Sequence, residues 1–513
     1  MFLKPSHFLF PEQKDNYMKI LCITDFYDHI HPATDRIHAS GDKMALFGTN
    51  GVRGIANREL TPELGLRLSM SLGTFLDGKG TVVVGRDTRL AGEMIKSSVI
   101  AGLLSTGVKV IDVGIVPTPS LQNYVKNRED AAAGVIVTAS HNPREYIGIK
   151  IIAADGTEFS RSDEKKVEEI YESGKFLAAD WRETGKYETD PNCNEIYIND
   201  VLSKVDVDAI RACRFKVVTD TGCGAGSLTL PVLLQRLGCS VITINAQPDG
   251  TFPWRNPEPV AEALTEMSAL IRHGGCDLGI AHDGDADRAV FMDENGDFLG
   301  EDLMLSAVGK YILAEKKGPI VTPVSSSRMF ADLAEEAGVP LYWTAVGSID
   351  VAYKMKEVGA VYGGEGNGGL IFPEHQVCRD GAMSAAKVLD ILAKNKCRET
   401  GAPMKASDFR KAVHPYVNLK IKKHIPEPKK AVAALRDDIL AGRGDVLPGK
   451  EIGGSVIDTI DTIDGAKIWT TTGWILIRPS GTEALVRITA EAGTEENAQK
   501  LLDAGSALLD RYM

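Results

Sequence analysis

Apolar segments that lead into polar or glycine-rich loops, and then into helical periodicity, recur along the chain. The three clearest are Thr81–Val84, Lys216–Val218 and Ile320–Val321. Strands that alternate with helices in this way predict α/β domains with largely parallel sheets, whose ligands bind at the carboxyl ends of the strands. Because the three segments lie about one domain length apart, they predict three similar domains.

The C-terminal part of the chain follows a different pattern. Pro415–His424 alternates apolar and polar residues, and Ala466–Thr472 and Trp474–Arg478 predict a strand pair around Gly473. Apolar positions at helical spacing predict a helix over Glu495–Tyr512. This order of elements indicates an α+β domain, distinct from the three units before it.

The first 43 residues show neither the helical period of 3.6 residues nor the strand period of two. They hold four of the ten histidines. Two interpretations remain open for them. They are an ordered or disordered extension, or they are upstream sequence included by a wrong start, with Met44 as the natural first residue. We favour the second.

Composition and charge exclude several classes of protein. The 513 residues carry 58 Lys and Arg against 70 Asp and Glu, a formal net charge of −12, so no positive surplus exists to neutralise a nucleic acid. No apolar run is long enough to cross a membrane, and the first residues do not form a signal peptide. The eight cysteines are scattered without a C-x-x-C pair, which indicates free thiols in the cytoplasm.

Ser140 occupies the sharpest local motif, Thr138–Pro143. The apolar segment Gly134–Val137 leads directly into it, and His141 and Lys150 follow. The serine is then a nucleophile or phosphoryl acceptor. The alternative is a Ser/Asn turn that caps a helix, and these residues alone do not decide between the two.

Three carboxylates at alternate positions, Asp283, Asp285 and Asp287, can converge on one hard divalent cation. An EF-hand is excluded, because Arg288 stands where that loop needs glycine and the apolar Ala289–Met292 continues as a strand. A metal beside an arginine suits a phosphate ligand. A solvated acidic turn is the alternative.

Two further loops carry candidate ligand-binding residues. Gly363–Gly369 lacks the setting of a dinucleotide site, but its carboxylate and amide suit sugar hydroxyls; a plain hairpin loop is the alternative. Arg478–Glu483, with Arg487 downstream, offers a forked cation, hydroxyls and a glycine backbone to a phosphate, and a polar turn is the alternative. Arg53 lies on a glycine-bounded turn near the start.

Taken in this order, the loops resemble those of the alpha-D-phosphohexomutase superfamily, which includes phosphoglucosamine mutase, phosphomannomutase and phosphoglucomutase. The resemblance runs from about Met44 to the C-terminus. It implies an α/β fold with three similar mixed α/β domains plus a C-terminal α+β domain around a central cleft. The implied division is a 1–43 extension, a 44–194 phosphoserine domain, a 195–299 metal-binding domain, a 300–411 sugar-binding domain and a 412–513 phosphate-binding domain.

The family's T-A-S-H-N-P and D-G-D-x-D-R motifs imply roles for matching residues. Ser140 would be phosphorylated and would join three aspartates in holding one Mg²⁺ per active site. The metal ligands would be Ser140, Asp283, Asp285 and Asp287. The catalytic residues would be Ser140, Arg53, His141, Lys150 and Arg288. The substrate-binding residues would be Glu365, Asn367, Arg478, Ser480, Gly481, Thr482 and Arg487.

The implied activity is a phosphohexomutase reaction through phosphoserine and a bisphosphorylated sugar. The opening LFGTNGVRG and the loop Thr344–Ser348, which lacks a histidine, resemble phosphoglucosamine mutases, so glucosamine phosphate is favoured over glucose or mannose phosphates. A serine-dependent phosphatase and a non-catalytic sugar-phosphate sensor are the other hypotheses. Asn367 and Gly369 depart from the family's Glu-x-Ser-Gly-His loop. The expected partner is a hexose or hexosamine phosphate, with no nucleic acid or membrane, and a homodimer is left open.

Overall fold

The N-terminal sheet shows the construction that two further sheets repeat, namely parallel strands followed by an antiparallel extension. The computed structural model describes residues 46–48, 50–396, 401–442, 447, 450–481 and 484–513, so the predicted 1–43 extension lies outside the described residues. The strands of the first sheet are β1 (Val52–Ile55), β2 (Thr81–Arg86), β3 (Lys109–Ile115), β4 (Ala131–Val137), β5 (Tyr146–Ala153) and β6 (Tyr187–Thr189). Its helices are α1 (Pro62–Phe75), α2 (Gly92–Ser105), α3 (Thr118–Lys126) and α4 (Arg161–Ser173).

The strand order of this sheet is β1-β5-β4-β2-β3-β6. Strands β4, β2, β3 and β6 are parallel, whereas β5 and β1 are antiparallel to their neighbours. The apolar run in β2 is buried on both faces, as expected for a parallel strand covered by helices on each side.

The second sheet has the order β11-β10-β9-β7-β8, with β9, β7 and β8 parallel and a hairpin at the other edge. Its strands are β7 (Lys216–Asp220), β8 (Ser240–Ile244), β9 (Leu278–His282), β10 (Ala289–Met292) and β11 (Phe298–Leu299). The helices of this region are α5 (Cys193–Leu202), α6 (Val207–Cys213), α7 (Leu230–Arg236) and α8 (Thr265–Gly274).

The third sheet has the order β13-β12-β14-β15-β16, again with three parallel strands and an antiparallel pair. Its strands are β12 (Ile320–Pro323), β13 (Leu341–Thr344), β14 (Tyr362–Glu365), β15 (Gly369–Phe372) and β16 (Gln376–Arg379). Its helices are α9 (Glu301–Glu315), α10 (Arg328–Ala337), α11 (Ser348–Val358), α12 (Gly381–Lys394) and α13 (Phe409–Ala412).

One hydrophobic core joins the second and third sheets. It contains Tyr197 from α5, Phe291 from β10 and Phe409 from α13. Helix α12 is buried along almost its whole length in this core, including its polar side chains Ser384, Lys387 and Asp390. The second and third units therefore hold each other in place.

The fourth sheet is antiparallel throughout, in the order β17-β22-β21-β20-β19-β18. Its strands are β17 (Val417–His424), β18 (Glu451–Ile452), β19 (Ser455–Asp461), β20 (Ala466–Thr470), β21 (Gly473–Pro479) and β22 (Leu485–Ala492). Helices α14 (Pro428–Leu440) and α15 (Glu495–Leu509) accompany it. Gly473 lies inside β21, and the α-helix ends three residues before Tyr512, where a 3-10 turn takes over.

A lysine surrounded by tryptophans connects the fourth sheet to the third domain. Lys467 on β20 is buried, and its Nζ lies 4.5, 4.1 and 4.0 Å from the ring centroids of Trp343, Trp469 and Trp474. It also donates a hydrogen bond of 2.7 Å to the carbonyl oxygen of Val324. Burial lowers the pKa of Lys467 to about 7. The aromatic faces favour the charged form, so they act against this effect.

The predicted α/β class with a distinct C-terminal domain is confirmed. None of the helices in the described part of the chain is long and apolar enough to cross a membrane. The described residues from Phe47 onward form one compact unit.

Candidate active site

The predicted site loops occupy the same topological position in three sheets. Ser140 lies between β4 and β5, Asp283–Arg288 lies at the turn from β9 to β10, and Gly366–Gly368 connects β14 to β15. In each sheet this is the connection from a parallel strand to its first antiparallel neighbour. The three dissimilar sequence motifs therefore share one position in a repeated fold, and side-chain contacts between the loops bring them together.

Ser140 is fully buried, and its hydroxyl points at the aspartate loop, Asp283–Arg288. Its Oγ donates a hydrogen bond of 2.9 Å to Asp283 Oδ2 and lies 3.4 Å from His141 Nδ1. Its backbone has φ +50°, in the left-handed region that serine seldom adopts. Strain of this kind is typical of functional sites. The chain continues into β5, so the interpretation of this motif as a helix cap is wrong.

Arg89 shapes the Ser140 loop, although the sequence analysis did not assign it a role. The side chain is buried, and its Nη2 donates to the carbonyl oxygens of Ser140 (2.8 Å) and Asn142 (2.6 Å). Its Nη1 donates to those of Pro143 (2.6 Å) and Tyr146 (2.9 Å). The only signal in the sequence was its place in the G-R-D-T-R segment directly after the buried strand β2.

Asp283, Asp285 and Asp287 form a buried cluster whose ligand oxygens all lie within 4.8 Å of one another. Asp285 Oδ1 and Asp287 Oδ1 have no hydrogen-bond partner within the described residues. Unpartnered buried carboxylate oxygens are costly, and hard oxygen ligands suit Mg²⁺, so this donor set fits the expected metal. A Cβ on Gly284 would lie 2.6 Å from the carbonyl oxygen of Ser140, so this glycine permits the close contact between the two loops.

Lys150 lies against the same carboxylates. Its Nζ is 3.0 Å from Asp285 Oδ2 and 3.4 Å from Asp287 Oδ2. Burial alone would lower the pKa of Lys150, but the neighbouring carboxylates more than offset this effect and raise it. Burial, together with the charges of Asp287 and Asp285, raises the pKa of Asp283 well above its usual range. Thr118, which the sequence did not indicate, donates to Asp285 Oδ2 at 2.6 Å.

Two further cations flank the serine and the aspartates. Arg288 Nε lies 3.9 Å from Asp287 Oδ1, and Arg53 Nη1 donates to Asn142 Oδ1 at 2.8 Å. Burial and the charges of Arg288 and Arg53 lower the pKa of His141 well below its usual range. The predicted positive groups therefore do surround the serine.

Arg379 connects the aspartate loop, Asp283–Arg288, to the glycine-rich loop, Gly363–Gly369. No sequence motif indicated this arginine. Its Nη2 lies 2.5 Å from Asp287 Oδ2 and its Nη1 lies 2.7 Å from Glu365 Oε2. A Cβ on Gly369 would lie 2.2 Å from Arg379 Cδ, so a larger residue at this position would displace the Arg379 side chain. Asn367 accepts a hydrogen bond of 3.2 Å from the Gly369 N–H.

The fourth predicted loop is built on the C-terminal sheet. Arg478 on β21 and Arg487 on β22 are directly opposite each other. The Ser480 N–H donates to the carbonyl oxygen of Leu485 at 2.8 Å, which closes the turn, and Gly481 is exposed. Thr482 lies outside the described residues.

Asp464 ties Arg478 to the third domain. Its Oδ2 accepts from Arg478 Nε and lies equally close, at 3.1 Å, to Arg478 Nη2. The same oxygen accepts from the Val346 N–H at 3.1 Å. Two residues further along, Ser348 donates to Glu158 Oε2 at 2.6 Å and accepts from Asn50 Nδ2 at 2.9 Å. The loop around Val346 therefore contacts the N-terminal domain directly and Arg478 through Asp464.

We expect Asp464→Ala to raise the KM for a sugar phosphate roughly three- to tenfold, because the Arg478 guanidinium loses the carboxylate that orients it. Steady-state kinetics measure this effect. Asp458→Ala, an exposed carboxylate on β19, is the matched control. Equal KM values for the two variants would contradict the role of Asp464.

Comparison with known proteins matches four successive parts of the chain to one family. Profiles described as Phosphoglucomutase/phosphomannomutase, alpha/beta/alpha domains I, II and III, match residues 44–178, 195–296 and 300–409, and the profile of the C-terminal domain matches 417–505. The chain belongs to the phosphoglucomutase/phosphomannomutase family. Its predicted membership of the alpha-D-phosphohexomutase superfamily is confirmed, and so is its assignment as an enzyme.

Curated relatives match this family member over nearly their full length. A Thermococcus kodakarensis protein named phosphoglucomutase/phosphomannomutase is 44% identical over 91% of this chain and 99% of its own. A probable phosphoglucosamine mutase of Methanosarcina barkeri is 41% identical over 90% of this chain and 98% of its own. The crystal structure of a family protein from Burkholderia thailandensis covers 91% of this chain and 97% of its own, with a TM-score of 0.78 and 24% identity, and supports the fold.

Proposed function

We propose that this protein is a Mg²⁺-dependent phosphohexomutase that interconverts the 6-phosphate and 1-phosphate of a hexosamine, with glucosamine phosphate favoured. The observation that carries the proposal is the hydrogen bond from Ser140 to Asp283 inside the buried aspartate cluster. A hydroxyl held against a divalent-cation site among several cations suits phosphoryl transfer, in which positioning and charge neutralisation supply most of the catalysis.

In the first half-reaction, a free hydroxyl oxygen of the sugar monophosphate attacks the phosphorus of phosphorylated Ser140. The bond from phosphorus to Oγ breaks and Oγ keeps the electron pair. The attacking hydroxyl gives up its proton, Oγ takes up a proton, and a bisphosphorylated sugar is released into the site. Lys150, Arg288 and Arg53 offset the negative charge, and the imidazole of His141 lies within hydrogen-bond reach of Oγ and orients it. When bound, Mg²⁺ neutralises charge on the transferring oxygens.

The second half-reaction returns the other phosphoryl group to Ser140 after the sugar turns over in the site. The phosphate that does not react in each half would be held by the fourth loop, through Arg478, Ser480, Gly481, Thr482 and Arg487. Glu365 and Asn367 would bind sugar hydroxyls. Because Arg379 occupies Glu365 Oε2, we assign the other carboxylate oxygen of Glu365 to the sugar.

Two observations favour glucosamine phosphate as the substrate. A close relative is named a probable phosphoglucosamine mutase, although another carries the name phosphoglucomutase/phosphomannomutase. The loop that ends in Ser348 lacks the histidine of the glucose and mannose branch, and the Ser348 hydroxyl is held by Glu158 and Asn50. The free thiols of the cysteines Cys193, Cys213, Cys223, Cys239, Cys276 and Cys378 suit the cytoplasm, which we propose as the compartment.

The test is to compare isomerisation of glucosamine, glucose and mannose 6-phosphates by phosphorus NMR, with Mg²⁺ and a trace of the sugar bisphosphate. All three substrates are compared over the same range of concentrations. We expect glucosamine 6-phosphate to give the highest kcat/KM. Faster turnover of glucose or mannose 6-phosphate would move the protein to that branch. Release of inorganic phosphate without an isomer would indicate a phosphatase, and binding without turnover would indicate a sensor.

A further inference from the structure

A row of three cations crosses the C-terminal sheet next to the fourth loop. Lys422 on β17 is directly opposite Arg487 on β22, and Arg487 is directly opposite Arg478 on β21. Side chains at opposed positions of neighbouring antiparallel strands project from the same face, with Cβ atoms about 5 Å apart. Lys422 was not among the residues that the sequence motifs indicated.

This row is on the face of the sheet that points away from its core. The flanking residues Ile421, Val486, Ile488 and Ile477 pack into the core beneath helices α14 and α15. Because side chains alternate along a strand, the three cations project from the opposite face. Lys422 is exposed there, and none of the described residues forms a hydrogen bond or ion pair with it.

Like charges directly opposite each other on a sheet are destabilising. The Asp464 carboxylate neutralises Arg478 at one end of the row, but at the other end Lys422 has no such partner within the described part of the chain. A phosphate dianion bound over the row would relieve the repulsion, and each charge-assisted contact with it would be stronger than a neutral hydrogen bond.

We propose that Lys422 is a further substrate-binding residue, which binds the non-reacting phosphate of the sugar together with Arg487 and Arg478. The proposal rests on the proposed function, since it extends the phosphate site of the fourth loop onto the neighbouring strand. The phosphate site would then be a surface formed by strands β17, β22 and β21, instead of a single turn.

The competing explanation is that Lys422 only protects an edge strand. Strand β17 is at the end of the sheet order, and lysines on edge strands prevent pairing with other chains. Lys423 separates the two explanations. It is on the same strand but on the core face, where its Nζ lies 2.6 Å from Asp510 Oδ1 and donates to the Ser506 carbonyl oxygen at 3.1 Å.

The experiment compares Lys422→Ala, Lys422→Arg and the control Lys423→Ala in the full-length protein at low ionic strength, where charge effects are least screened. Two quantities are measured. One is the KM and kcat for the sugar monophosphate that the wild-type protein isomerises fastest. The other is the Kd for inorganic phosphate, obtained from the rise in melting temperature with phosphate concentration.

We expect Lys422→Ala to raise both KM and the phosphate Kd roughly tenfold, with kcat changed less than about twofold, since the contact is equally strong in the ground and transition states. Lys422→Arg should retain most of the affinity, and Lys423→Ala should match the wild-type protein. Wild-type values of both constants in Lys422→Ala, or equal losses in Lys423→Ala, would overturn the proposal. If the wild-type protein isomerises no sugar phosphate, the proposed function fails, and the phosphate Kd still decides the role of Lys422.

Discussion

Ser140→Ala is expected to reduce isomerisation of every sugar phosphate to the background of the assay. The substitution removes the only atom to which we assign the covalent phosphoryl group, and no other hydroxyl among the described residues donates to Asp283. The fold should survive, because losing one buried hydrogen bond costs about 1–3 kcal/mol of unfolding free energy. Steady-state kinetics measure the activity, and intact-protein mass measures the phosphoryl group, which should disappear.

Ser173→Ala is the control for a lost hydroxyl, because Ser173 is exposed at the end of α4. Ser140→Thr is the more demanding comparison. It keeps a hydroxyl, but a β-branched residue is strongly disfavoured at the φ of +50° found at this position, so we expect little activity. Isomerisation by Ser140→Ala at a rate near that of Ser173→Ala would show that the phosphoryl acceptor lies elsewhere.

Asp283→Asn is expected to abolish the response to Mg²⁺ while leaving the metal-free protein at least as stable as the wild type. Asparagine can still accept the hydrogen bond from Ser140, and one of three mutually repelling carboxylate charges is removed. Burial, together with this repulsion, raises the pKa of Asp283 well above its usual range. Activity should fall by more than about a hundredfold, since losing even an outer-shell partner costs 10–100-fold.

Two measurements check this second expectation. Thermal unfolding with increasing Mg²⁺ should show stabilisation of the wild-type protein and none of the variant. Removal of metal with a chelator should reproduce the loss of activity in the wild-type protein. Asp297→Asn, at an exposed carboxylate of the same domain, is the control. Unchanged Mg²⁺-dependent activity in Asp283→Asn would disprove a metal centre at this cluster.

The motifs that follow a buried strand could be predicted from the sequence, because their chemistry and their position in the fold are both local. Ser140, the three aspartates and the turn after Arg478 are of this kind. The parallel strands β2, β7 and β12 could also be predicted, because their apolar runs mark them directly. The signal in each case depends on a few neighbouring residues.

Arg89, Arg379 and Asp464 could not be predicted, because each acts through contacts between segments distant in sequence. Arg379 contacts Asp287 and Glu365, which lie 92 and 14 residues away along the sequence. Asp464 contacts Val346, which lies 118 residues away. No period or motif marks a residue whose partners are chosen by strand register and domain packing. Lys422 belongs to the same group, since only the register places it opposite Arg487.

The tryptophans around Lys467 give the protein an optical property. The chain has five tryptophans, and Trp181 and Trp254 are largely exposed, whereas Trp343, Trp469 and Trp474 enclose the buried ammonium group. An aqueous quencher such as iodide reaches the first two freely and should leave emission from the other three. That remaining emission would change when the fourth sheet separates from the third domain. Its intensity would therefore report the state of a single junction, without an added label.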